Sequence, residues 1–207
     1  MNRKFLSGLL LLLGACKQND QTPTYMPITD QRLRDAATAK VGSYFIYQDS
    51  ATGGIDSFGV ISFKQTTLYN ERDNTANENI GFQSFDSVNG PGLFQTISVD
   101  ALRNSISTGV NLDGISCFST SITFPFVVNY TGPFPNNNTT CVQYHESYPV
   151  LGVNYNDVYE TISISMGQGP STTIHTWFSL QRGLIKFSAS DSNRHFTYLL
   201  KKSVIKK

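Results

Sequence analysis

The chain has 207 residues, with 16 Lys+Arg against 15 Asp+Glu and a formal net charge of +1. So even a balance, with charged residues at only 15%, argues against nucleic acid or a polybasic membrane patch as a partner. Aromatics at 12%, alongside abundant Ser, Thr, Asn and Gly, are what half-buried strands and their turns require.

The first sixteen residues are organised as a targeting segment. Arg3 and Lys4 precede an apolar run over 5–13, and Gly14-Ala15-Cys16 follows. A basic start, a short apolar stretch and small residues make a secretory signal, too short to span a bilayer as a mature helix. The ending Leu13-Gly14-Ala15-Cys16 resembles the lipobox of bacterial lipoproteins. That resemblance implies cleavage before Cys16 and attachment of diacylglycerol to its sulfur, with the amine usually acylated too. Stable anchoring takes two or more acyl chains, which such a cysteine carries. Lys17 stands where inner-membrane lipoproteins of some Gram-negative bacteria have Asp, so the expected address is the outer membrane.

Removing residues 1–15 leaves 192, enough for one sizeable domain. Residues 16–27 read as the lipidated cysteine and a polar, proline-containing tether, and 28–207 as a β-rich domain. Thr29 or Asp30 can cap a short helix over 31–40, ended by Gly42. Residues 44–48 and 55–63 then form a hairpin around a Ser/Thr/Gly turn, with a bulge near Gly59 where the apolar phase shifts. Residues 69–76 read as a loop, and 80–85 and 95–99 as strands. Asp100 is placed to cap a second helix reaching Ser107, with Leu102 and Ile106 spaced i, i+4.

Residues 115–128 alternate again, followed by a Pro/Asn-rich loop over 131–140 that separates Cys117 from Cys141. With Cys16 committed to lipid, these two form an even pair in an oxidising compartment. A bridge flanking the loop would close about 25 residues and contribute roughly 3 kcal/mol; two buried thiols are the alternative. The C-terminal third is the most regular. Over 158–166, Ile162, Ile164 and Met166 alternate with Thr161, Ser163 and Ser165. Over 173–181, Ile174, Phe178 and Leu180 alternate with His175, Trp177 and Ser179. The apolar sets are expected to share one buried layer, with Thr161, Ser163, Ser165 and Ser179 wetter. Strands at 184–187 and 196–205 complete the series. The fold class is mainly β: a single antiparallel meander forming a curled sheet or half-barrel, or else a β-sandwich, with one or two short helices.

Three segments carry a further resemblance. Residues 153–158 (Val-Asn-Tyr-Asn-Asp-Val), 177–187 (Trp-Phe-Ser-Leu-Gln-Arg-Gly-Leu-Ile-Lys-Phe) and 44–53 (Tyr-Phe-Ile-Tyr-Gln-Asp-Ser-Ala-Thr-Gly) resemble stretches of uncharacterised envelope lipoproteins. The resemblance implies a curled antiparallel sheet, in some relatives similar to the LolA-like half-barrel that holds lipid acyl chains.

Chemistry is sparse. His145, His175 and His195 fall in no zinc-helix spacing, and there is no nucleophile elbow or phosphate-cradling loop. No catalytic residue, metal or cofactor is assigned. Trp177 is a candidate pocket-lining residue. Asp49-Ser50-Ala51 and Asp86-Ser87-Val88 fit a bacterial O-glycosylation pattern, making Ser50 and Ser87 candidate acceptors. The expected protein is a lipid-anchored, non-enzymatic component of a Gram-negative envelope. It would bind an apolar ligand or another envelope protein, its membrane contact being the anchor. A lipid-anchored hydrolase acting on glycans is the alternative.

Overall fold

The computed structural model describes residues 22–86, 94–112, 115–124, 138–165, 172–190, 192 and 195–207. The chain opens with β1 (Thr24–Met26) and helix α1 (Gln31–Ala36), then β2 (Tyr44–Asp49), β3 (Ile55–Asn70), β4 (Thr75–Asp86), β5 (Phe94–Asp100) and β6 (Ser105–Leu112). It continues through β7 (Ile115–Thr123), β8 (Asn138–Val150), β9 (Val153–Ser165), β10 (Thr172–Ser179), β11 (Gly183–Ser190) and β12 (His195–Val204). All twelve strands belong to one sheet, ordered β7-β6-β5-β4-β3-β2-β12-β11-β10-β9-β8, with β1 added in parallel to β4. Every other pairing is antiparallel, and the sheet is not closed into a barrel. The single curled sheet is therefore the architecture, and the sandwich alternative is set aside.

One face of the sheet carries the core. Phe45 and Tyr47 on β2, Phe58 and Val60 on β3, and Phe187 on β11 are fully buried on it. Tyr47 packs edge-on against Phe58 and Phe187, and Phe187 stacks on Tyr198 with centroids 5.0 Å apart. Curling brings distant strands together across this interior. Tyr47 on β2 donates its hydroxyl to the carbonyl of Leu184, at 2.8 Å, and approaches Gln95 Oε1 on β5 at 3.3 Å. The two ends of the strand order approach as well, since Phe124, just past β7, packs on Tyr159 of β9 at 5.1 Å.

Helix α1 covers part of this core with Leu33 and Ala36. Asp30 caps it by accepting from the Arg32 amide, as expected, but the helix ends at Ala36 rather than continuing to 40. Buried Glu78 ties this segment to the β3–β4 hairpin. Its carboxylate accepts from the Ile28 amide (2.9 Å), Gln65 Nε2 (2.8 Å) and Arg34 Nη2 (2.5 Å). Burial raises the carboxyl's pKa, but these three donors outweigh it and hold the pKa below the usual carboxylate range.

Besides the shorter helix, a buried Ser179 whose hydroxyl donates to the Asn156 carbonyl, and a strand β8 that already begins at Asn138, the structure departs from the sequence expectations at four places. The bulge of β3 falls between Val60 and Ser62, and Gly59 is ordinary strand. Residues 69–76 are not a loop: β3 and β4 run past them, and only 71–74 turn, with Asn74 at φ 48. There is no second helix after Asp100. Its carboxylate accepts from the Leu102 amide, but the turn closes at Asn104 (φ 46) and Ile106 enters β6 as a core residue. Capping chemistry here starts a hairpin.

The fourth departure inverts β9. Tyr159, Thr161 and Ser163 face the core, paired with Phe178, Thr176 and Ile174, while Ile162 faces outward and is half-buried. The polar inward positions are tolerable because Thr161 and Thr176 hydroxyls bond each other at 2.6 Å. The side chains of Ile164 and Met166 lie outside the described residues.

Candidate functional site

Strand alternation places His175 and Trp177 of β10 on the outer face of the sheet, between the inward residues Ile174, Thr176 and Phe178. The register sets their neighbours. Trp177 lies opposite Glu160 on β9 and opposite Lys186 on β11, where a bulge between Trp177 and Phe178 makes Ile185 the extra residue. His145 reaches the same carboxylate from β8, whose residue 143 is opposite Glu160.

Glu160 sits between two imidazoles. His145 Nε2 is 2.9 Å from one carboxylate oxygen, and His175 Nδ1 is 3.5 Å from the other. A carboxylate only accepts, so each ring must present an N–H to it. Neutral His145 is thereby the Nε2–H tautomer and neutral His175 the Nδ1–H tautomer. This leaves His145 Nδ1 and His175 Nε2 as acceptors for a ligand. The hydrogen bond from His175 is the chief cause holding the Glu160 carboxyl below the usual range, with His145 adding to it against the opposing cost of burial.

Trp177 is buried, at 6% exposure, although it lies on the outer face of the sheet. It stacks against His175 at 5.6 Å and meets Tyr148 at 5.9 Å. The Lys186 ammonium lies 3.9 Å from the indole ring centroid and donates to the Tyr148 hydroxyl at 3.0 Å. Lys186 is half-buried, and such a cation over indole contributes on the order of 1 kcal/mol. The indole Nε1 has no hydrogen-bond partner among the described residues. Trp177 is therefore roofed by side chains of its own sheet and does not line the concave side, as a carrier pocket would require.

Next to this patch is an open groove of about 670 Å³ lined by Tyr144, His145, Glu146, Ser147, Asn156 and Asp157. The Tyr144 hydroxyl donates to Asp157 Oδ1 at 2.9 Å, which raises the Tyr144 pKa. Asp157 is held at φ 52, in the left-handed region, where β9 begins its approach to the patch. His145 belongs to both features. Among the described residues no three His, Cys, Asp or Glu side chains form a group able to hold a metal ion.

The other sequence candidates lie elsewhere. Cys16 and Ser87 fall outside the described residues. Cys117 and Cys141 are in β7 and β8, at opposite ends of the strand order, so they do not flank a hairpin; their side chains lie outside the described residues. Ser50 is exposed in the β2–β3 turn. His195 is exposed at the start of β12, its Nε2 3.1 Å from the Thr197 hydroxyl. Glu160, Tyr148 and Lys186 are the members that sequence reading missed. The available signal was the Leu151-Gly152 turn: a hairpin centred there places Glu160 diagonally across from His145.

No protein-family model and no curated protein matches this chain. Among solved structures, PNGF-II in its C2 and P21 space groups is similar at 13% identity, with TM-scores of 0.30 and 0.31. The match covers 80% of this chain but 28% of that one. So slight a likeness carries no inference about function. Among the described residues no helix is long and apolar enough to cross a membrane.

Proposed function

We propose that this chain is a lipid-anchored, non-enzymatic envelope protein of a Gram-negative bacterium, held at the outer membrane through Cys16, that binds another envelope component on the outside of its sheet. The observation that supports outside binding over apolar-ligand carriage is the occupied interior. Tyr47, Phe58, Phe187 and Tyr198 fill the space between strands, and Tyr47 is hydrogen-bonded there to a backbone carbonyl. The polar groove and the His–Glu–His patch, in contrast, open to solvent. A Cys117–Cys141 disulfide would join the two ends of the strand order and hold the curled sheet from opening.

The anchor is tested by mass spectrometry of the detergent-extracted protein. The reading expects a mature chain beginning at an acylated Cys16, and an unmodified Cys16 within a longer chain rejects it. Alkylation before and after reduction tests the disulfide, which leaves Cys117 and Cys141 unlabelled until reduced. One observation favours the hydrolase alternative, because Glu146 and Asp157 line a single groove. That alternative requires release of reducing sugar ends that Asp157→Asn abolishes, whereas the binding reading expects no release at all.

A further inference from the structure

A second groove, of about 320 Å³, lies on the outer face of β3, β4 and β5. Its outward wall residues are Ser62 and Lys64, Asn79 and Gln83, and Thr96 and Ser98. The register makes them one surface. Gln83 lies between Ser62 and Thr96, and Gly81 lies between Lys64 and Ser98. Glycine at the centre is required by close packing of the strands, since a Cβ there would come within 2.6 Å of the Ile97 carbonyl oxygen. The groove floor is consequently bare backbone. Phe82 and Ile97 also border it, but both are buried core residues.

The wall chemistry narrows the ligand. It consists of hydroxyls, carboxamides and one ammonium, with Ser62 already donating to Gln83 Oε1 at 3.3 Å. An apolar ligand would find no exposed apolar wall, and small-molecule sites for such ligands are lined mainly by apolar side chains. A cation would find no carboxylate among the wall residues, and a polyanion only Lys64. Hydroxyls and carboxamides each both donate and accept, which matches a ligand whose own groups do the same. The face continues with the same character onto β6, where Ser107 lies opposite Ser98 and Gly109 opposite Thr96. At about 4.8 Å between strands, β3 to β6 span roughly 14 Å, a track rather than a point contact. We propose that this groove binds an uncharged glycan chain, at a site separate from the His145–Glu160–His175 patch.

Isothermal titration of the full-length protein in detergent tests this, with maltohexaose, cellohexaose and chitohexaose as probes. At least one hexasaccharide should bind saturably, with affinity unchanged between about 0.1 and 1 M NaCl because no charge pairing is involved. Ser98→Tyr fills the groove above Gly81 with a residue suited to strands and should weaken binding at least tenfold. Gln83→Ala, a milder change that keeps the fold, should weaken it at least threefold, and His175→Ala on the separate patch should not alter it. The proposal is overturned if none of the three probes binds. It is equally overturned if both groove variants bind as tightly as wild type, or if salt abolishes the binding.

Discussion

Replacing Glu160 by Gln isolates what the carboxylate does between its two histidines. The side chain is 15% exposed, so solvent screening is weak. Gln keeps the shape but has one acceptor oxygen and one NH2. It can accept from only one imidazole and must present a donor to the other, whose N–H already points at it. The structure thus loses one hydrogen bond and the charge assistance of the other, and a charge-assisted bond contributes about 1.5–3 kcal/mol. For a domain of this size that is roughly 4–8 °C in melting temperature, taking about 2 kcal/mol at 2–4 °C each. The pH dependence follows from the lowered pKa of Glu160. In the window between its folded value and the unfolded value near 4.3, the unfolded state binds more protons. Its contribution is present above about pH 4.3 and is lost as pH falls through the folded pKa. Urea unfolding at pH 7 and pH 3 should therefore show the wild-type advantage over Glu160→Gln shrinking in acid. Long-range proton–nitrogen correlation spectra should find Nε2–H on His145 and Nδ1–H on His175 in the neutral wild type. A variant within 0.5 kcal/mol of wild type at pH 7, or the opposite tautomers, would refute the arrangement.

Thr176→Val removes the buried hydroxyl bond to Thr161 and should destabilise by about 0.5–1.5 kcal/mol, read by urea denaturation. Glu78→Ala strands the Ile28 amide, Gln65 and Arg34 together and should cost about 3–5 kcal/mol, with α1 fraying first in amide hydrogen exchange. Leu151 is held at φ 50 beside Gly152 at φ 79, a turn suited to Asn-Gly. Leu151→Asn should raise stability by about 0.5–1 kcal/mol in the same denaturation assay.

Much of the sheet was legible because period-two alternation survives wherever one face is buried. Residues 174–178 declare their inward side chains directly, and β10 carries Ile174 and Phe178 inward as its sequence indicates. The failures have separable causes. In β9 both faces are partly covered, by the core on one side and by Glu160, His145 and Trp177 on the other, so hydrophobicity no longer marks the inward face. Strand β8 went unread because it is the last strand in the order, exposed at Gln143, Glu146 and Ser147 and free to carry Pro149. The same omission hid the candidate site. His175 and Trp177 could be placed outward from the sequence, but Glu160 meets His145 only through the β8–β9 register, and Lys186 meets Trp177 only through the β11 bulge.

On the function proposed above, the curled interior is filled by its own side chains and ligands bind outside it. Titration with oleate, followed by native mass spectrometry and by the emission of Trp177, the sole tryptophan, tests this most directly. Blue-shifted emission from the buried indole, unchanged by oleate, and no protein–oleate complex are expected. A saturable one-to-one complex, lost when Ala189 in the core is replaced by Phe, would contradict it.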